Sequence, residues 1–366
     1  MTNLLYSDVE DQLRASVRDL LTDRAPWPSV LARTETGEPS DPALWTALSR
    51  DLGVGGLPVA EASGGAGASW REVAVVAEEL GRSVAATPFL GSAVVATALA
   101  LHAGAHELLA GLTAGSSSAA VAIGFATPPG AAFPAGVGFD GTALAGEVRG
   151  VADVVDSGAL LVPALDASGP VIVSCNAGDA GTITPVLSLD LTRPLCDLRL
   201  DGVPGTVIAS GEQAVAALDA ALRAGAVVLA SEQVGLAQRC LDLTVEYLKT
   251  RYQFGRQIGS FQALKHRCAD LWAAIAQARA VARYAASCLA DGDPDLAVAA
   301  ALAQAYCAPV AVKAAEECVQ LHGGIGFTWE HPAHLYLKRA KADSIAFGTA
   351  SAHRARLAEL VDLPAA

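Results

Sequence analysis

The sequence predicts an α+β chain in three parts: an N-terminal helical region (1–115), a middle β region (116–210) and a C-terminal helical bundle (211–366). Three observations carry this expectation. Apolar residues recur at helical spacing over both ends of the chain, and helix starts there carry capping signals. Between about 116 and 210, Gly and Pro recur every few residues among short β-branched runs with no helical period.

In the first part, Ser7-x-x-Glu10 and Ser69-x-x-Glu72 have capping-box spacing. Asp41-Pro42 places a cap and a first-turn proline before Leu44, Trp45, Leu48 and Leu52, and Gly53 ends that run. The Gly64–Gly67 loop precedes a further helix and lacks the Lys-Ser/Thr of a phosphate loop, so it reads as a connector. In the middle part the expected strands are Val121–Ile123, Leu160–Val162, Val171–Val173, Cys196–Leu200 and Val207–Ala209. The last part predicts helices at Glu212–Arg251, Ser260–Ala290, Asp295–His322 (bent at Pro309), Ala333–Ala346 and Thr349–Leu360.

Composition narrows the function classes. The 366 residues are 52% hydrophobic and 17% charged, with a mean hydropathy of +0.38, which points to buried subunit contacts. The apolar runs are Ala-rich and broken by residues such as Asp219 and Arg223, so none is expected to reach the length of a membrane span. A net charge of −13 argues against nucleic acid and anionic lipid surfaces. The start, MTNLLYSDVEDQL, lacks the basic-then-apolar order of a signal peptide, and the expected location is cytoplasmic. The seven cysteines show no CxxC and are expected reduced and buried. His102/His106 and His331/His334 have helical pair spacing but no further ligands, so no metal is expected. The turn at His331-Pro332 predicts exposed or capping histidines.

The least generic stretch is Glu246–Asp270, EYLKTRYQFGRQIGSFQALKHRCAD. It reads as a helix pair whose loop presents Arg251, Gln253 and Phe254, with Gly255 and Gly259 for tight turning and Ser260 as N-cap of the second helix. Arg251 has the planar, permanently charged fork that suits a pyrophosphate. A second patch, Gln320-Leu321-His322-Gly323-Gly324-Ile325-Gly326-Phe327, closes a helix on glycines.

Together these patches, Arg-x-Gln-Phe-Gly-x-x-Ile-x-x-Phe-Gln and Gln-x-x-Gly-Gly-x-Gly-Phe, resemble the C-terminal domain of acyl-CoA dehydrogenases. The segment from Pro58 through Gly64, Gly65 and Gly67 to Glu78-Glu79-Leu80-Gly81-Arg82 resembles that family's N-terminal region. The resemblance implies a middle β-barrel between two helical domains. It also implies that Arg251, Phe254, Gln262, Gln320, Gly323 and Gly324 bind the pyrophosphate and adenosine of an FAD held mainly by a neighbouring subunit.

Two departures stand out. The family's flavin loop, Thr-Glu-Pro-x-x-Gly-Ser-Asp, is here Ala126-Thr127-Pro128-Pro129-Gly130-Ala131-Ala132-Phe133, and there is no tryptophan between Trp70 and Trp272 to lie against a flavin. The family's glutamate base precedes a Gly-Thr, where this chain has Phe347 before Gly348-Thr349; the alternative location, on the first C-terminal helix, holds Gly225. Glu232, two turns or about 10 Å further along that helix, and Asp343 are the remaining carboxylate candidates. Charged helix residues are usually solvated or paired, so neither is assigned the role.

The resemblance thus implies a base-lacking subunit of a heterotetrameric (α2β2) acyl-CoA dehydrogenase of the actinobacterial steroid type, acting on a bulky acyl-CoA. Its expected partners are a homologous subunit carrying base and flavin loop, the acyl-CoA substrate, and an electron-transfer flavoprotein as acceptor. A flavin monooxygenase-like enzyme and a cofactor-free scaffold of the same fold are the alternatives.

Overall fold

The computed structural model describes residues 4–37, 40–155 and 157–363. The first helical layer comprises α1 (Asp8–Arg24), α2 (Trp27–Thr36), α3 (Pro42–Thr46), α4 (Trp70–Ser83), α5 (Thr97–Ala103) and α6 (His106–Thr113). Both capping boxes form: Ser7 and Ser69 cap α1 and α4, with Glu10 and Glu72 accepting from the cap backbone N–H groups. Asp41 accepts from Leu44 N at the head of α3.

The middle region is a mixed eight-stranded sheet of β1 (Ala119–Val121), β2 (Val137–Phe139), β3 (Ala143–Ala152), β4 (Ala159–Asp166), β5 (Gly169–Asn176), β6 (Thr182–Val186), β7 (Leu195–Pro204) and β8 (Thr206–Ser210). Its order is β6-β7-β3-β2-β4-β5-β8, with β1 parallel on β4. Three strands, β2, β3 and β6, lie outside the expected set. β3 is interrupted by bulges and carries Gly146 and Gly150 at positive φ, and β6 contains Pro185, features that erase the alternation of an ordinary strand.

Five helices close the chain: α7 (Gly211–Thr250), α8 (Gln262–Asp291), α9 (Leu296–His322), α10 (Ala333–Asp343) and α11 (Ala350–Leu360). Between α7 and α8 lies a hairpin of β9 (Tyr252–Gln253) and β10 (Arg256–Gln257). α9 runs through Pro309 as one helix. By length and composition alone α7 and the Leu296–Phe327 stretch could each cross a membrane, which corrects the expectation that no run is long enough. In the fold, 72% of the apolar window of α7 is buried against protein, so its greasiness belongs to the core.

α7 is the axis of the molecule. It crosses α4 on paired glycines: a Cβ on Gly81 would lie 2.1 Å from Glu232 O, and one on Gly235 would lie 1.8 Å from Glu78 O. Only residues without a side chain allow these backbones to approach so closely. This crossing fixes α7 against the first layer and holds Glu232 inside the protein.

Candidate functional site

Sequence reasoning points to two places, and the fold gives them opposite character. The first lies where α7 ends. Residues 252–257 form a two-residue hairpin with Phe254 (φ 53°) and Gly255 (φ 74°) in the turn, the left-handed pair of a type I′ connection. An aromatic residue at positive φ is strained, and Phe254 is also 90% exposed. Ile258 N donates to Arg251 O at 2.9 Å, which folds the hairpin back on the helix end. The Arg251 side chain is exposed and makes no ion pair or hydrogen bond among the described residues.

The second motif abuts the first. The rings of Tyr247, one turn before Arg251, and His322, between Gln320 and Gly323, stack with centroids 4.6 Å apart. His331 continues the stack on His322 at 4.1 Å. Gln320, Gly323 and Gly324 are exposed, and a Cβ on either glycine would meet nothing within 4 Å. Gln262 opens α8 on the same side, with Phe254 edge-on to Phe261. All six expected binding residues are thus exposed at the ends of α7 and α9 and the start of α8. The expected Ser260 cap does not form: residues 258–260 make a 3₁₀ turn, Ser260 Oγ donates to Gln257 O, and Phe261 occupies the cap position. His331 and His334 are half-buried in ring contacts, His334 on Trp329, which corrects the expectation of exposure, while His331 Nδ1 accepts from Ala333 N at the start of α10, the capping role expected for one of the two.

The other place is around Phe347, and it is closed. A Cβ on Gly225 would lie 2.6 Å from Phe347 Cζ, so the ring lies directly over the glycine. The two positions at which the family's base is expected therefore face each other across one point, and a phenyl ring fills it. Phe347 is held at φ 52° by its N–H donating to Phe125 O and by His353 Nε2 donating to its carbonyl, both at 2.8 Å. The Phe125 ring packs 6.1 Å from it. What remains beside them is a cavity of about 30 Å³, room for roughly one water.

Behind this plug lies a buried ionic network that sequence reasoning did not find. Arg193 donates to Glu232 at 2.7 and 2.8 Å and to Asp343 at 2.6 Å. Arg339 donates to Glu232 at 2.6 Å, to Asp190 at 2.5 Å and to Thr192. Burial works against the Glu232 carboxylate, but Arg193 and then Arg339 outweigh it and hold it below its usual range. Burial, then the neighbouring Glu232 charge, push Asp343 up to about 8. Its Oδ2 has no hydrogen-bond partner among the described residues, and the two guanidiniums are already matched by Glu232 and Asp190, so the charge balance favours the protonated acid. Both carboxylate candidates therefore serve to join the β6–β7 connection to α7 and α10.

Asp343 makes stability depend on pH. Its folded value lies above the unfolded one of about 4, so its contribution is complete below pH 4 and declines as pH rises toward 8. Asp343→Asn, which stays neutral, should match wild-type stability to within about 1 kcal/mol near pH 4 and be the more stable of the two as pH rises. It should also remove the decline that wild type shows between pH 6 and 8.5, read from urea midpoints. Parallel pH profiles in the two proteins would show that Asp343 is not the titrating group.

Comparison with known proteins fits this geometry. Residues 7–111 match the model described as acyl-CoA dehydrogenase, N-terminal domain, and residues 215–361 match acyl-CoA dehydrogenase, C-terminal domain. The chain belongs to the acyl-CoA dehydrogenase family. Acyl-CoA dehydrogenase IpdE2 of Mycolicibacterium smegmatis is 34% identical over 93% of this chain and 95% of its own length. Among solved structures, a variant of the Tcur3481-Tcur3483 steroid ACAD matches with TM-score 0.85 and 31% identity, covering 97% of this chain and 98% of that one. The ChsE4-ChsE5 complex from Mycobacterium tuberculosis matches with TM-score 0.87 and 26% identity over the whole of both chains.

For an acyl-CoA dehydrogenase the implied cofactor is FAD, and the two places fit it differently. At the α7–α9 ends, an unpaired guanidinium, exposed amides and two bare glycine backbones suit a pyrophosphate and its adenosine. At Gly225 the Phe347 ring, packed on Phe125, fills the point where the family's base is expected, so these residues do not fit a base for FAD-linked chemistry.

Proposed function

We propose that this chain is the non-catalytic subunit of a heteromeric acyl-CoA dehydrogenase, supplying part of the site for an FAD seated mainly in a homologous partner. The observation that carries this reading is the Phe347 ring lying on Gly225, opposite in character to the open Arg251 half-site. FAD, when bound, supplies the acceptor for the β-hydrogen of an acyl-CoA. Arg251 neutralises pyrophosphate charge, Gln262 and Gln320 offer amide hydrogen bonds, and Gly323 and Gly324 let a ligand approach the backbone. Phe254, already ordered in its turn, offers a ring face. The carboxylate lining the cavity beside Phe347, Asp153, is engaged by Gly91 N at 2.9 Å, and Glu232 and Asp343 are held by the arginines, so the base is assigned to the partner. Exposed Phe254, Phe327, Trp272 and Tyr252 suit burial in a subunit interface. The similarity to a steroid ACAD over 97% of the chain favours a bulky, ring-bearing acyl-CoA as substrate. An electron-transfer flavoprotein is the proposed acceptor, and the cytoplasm the proposed location.

The test is FAD content of the co-purified complex after dialysis. One charge-assisted contact is worth about 1.5–3 kcal/mol, so Arg251→Ala should weaken flavin binding about ten- to a hundred-fold. Arg251→Lys should recover only part of this, since a point charge does not reproduce the fork. Equal flavin retention in wild type and both variants would overturn the half-site assignment.

A further inference from the structure

A second cleft lies away from both places, where α1, α4, α7 and α10 meet. It measures about 350 Å³, and Arg18, Arg82 and Arg239 line it from three different helices. Trp27, at the start of α2, and Tyr336, on α10, supply aromatic walls. The carboxylate among the lining residues is Glu79. In a chain with 25 basic and 38 acidic residues, three guanidiniums around one cleft invert the general charge.

Ion pairs occupy only part of this donor set. Arg18 gives Nε and Nη2 to Glu79 at 2.8 and 2.6 Å, and Arg82 gives Nη1 to Asp242 at 2.6 Å. Arg239 reaches Glu246 at 3.8 Å, and that carboxylate is 66% exposed, so the pair is weak. Each guanidinium carries five N–H donors, and most of the fifteen or so have no carboxylate. The three side chains are 48%, 25% and 28% exposed, so their spare donors face water in the cleft, which an anion can displace.

We propose that this cleft binds a sugar phosphate monoester that also bears a planar base, the chemistry of an adenine mononucleotide. The arginine forks match phosphate oxygens in pairs. Trp27 offers a ring for the planar body. The volume lies in the range of small-ligand sites, about 300–1,000 Å³.

Isothermal titration of the complex as purified, with adenosine 5′-monophosphate, inorganic phosphate and adenosine as separate probes, tests this. The monophosphate should bind, inorganic phosphate more weakly, and adenosine not detectably. Arg239→Gln should weaken monophosphate binding about ten- to a hundred-fold with FAD content unchanged, and Arg239→Lys should recover part. Trp27→Ala should weaken the monophosphate and leave inorganic phosphate as it was. Lack of monophosphate binding in wild type overturns the proposal. So does binding that Arg251→Ala removes and Arg239→Gln leaves intact, because the nucleotide would then sit in the flavin half-site. Equal affinity for monophosphate and inorganic phosphate overturns the ring-bearing class.

Discussion

Glu232→Ala is expected to lower the unfolding free energy by about 3–5 kcal/mol, the range for removing one partner from a buried ion pair. Glu232 is 2% exposed and accepts from both Arg193 and Arg339, so its loss strands two buried guanidiniums at once. The network holds one means of relief. With the Glu232 charge gone, the second-largest force holding Asp343 protonated disappears, and Asp343 can ionise against Arg193. The loss should therefore be smaller near neutral pH than at pH 5, a sign opposite to that of an ordinary surface carboxylate. Arg339 has no such substitute at Nη1, so relief is partial. Urea unfolding of the purified complex at both pH values measures it. Glu232→Gln, nearly isosteric, separates structure from chemistry. If it keeps stability and FAD yet abolishes turnover, Glu232 is a base and the proposed role of this chain is wrong.

The helical ends of the chain are legible because their signals are local. A capping box needs four consecutive residues, and Ser7 and Ser69 each form one as the sequence implies. The half-site is legible for the same reason, since Arg251, Phe254 and Gln262 lie within one connection. Only the Tyr247–His322 stack that joins it to Gln320 requires the fold. The middle sheet is legible in part. β4 and β5, nearly continuous apolar runs, announce themselves, whereas β3 pairs through bulges and exposes Glu147 and Arg149 between glycines. The ionic core cannot be read from sequence at all. Its members come from the β6–β7 connection, α7 and α10, and nothing local to Arg193 or Arg339 says that a carboxylate waits more than a hundred residues away or on another helix. A charged residue at the buried spacing of α10 is the one available hint, with Arg339 between Tyr336 and Ala340. The base positions illustrate the same limit. Phe347 and Gly225 are each visible as substitutions, but that one side chain fills the space left by the other is a property of the packing.

Phe347→Glu should create no dehydrogenase activity and should destabilise the chain by several kcal/mol. The substitution restores a carboxylate at the family's base position, yet that position is closed by packing. Phe347 is 5% exposed, faces Gly225 and Phe125, and leaves about 30 Å³ beside it. A glutamate there loses the ring contacts of a buried phenylalanine, about 3–5 kcal/mol on truncation of such a residue. It also adds an unpaired acid whose burial is unfavourable unless it stays protonated. Among the cations nearby, Arg193 lies 5.8 Å from the Phe125 ring and is already bound to Glu232 and Asp343. Thermal unfolding of the complex together with dye-linked dehydrogenation of acyl-CoA substrates checks both halves, ideally in a background where the partner's own base has been replaced. Activity appearing in Phe347→Glu under those conditions would mean that a flavin ring does reach this chain's pocket, and that the division of labour proposed for the two subunits is mistaken.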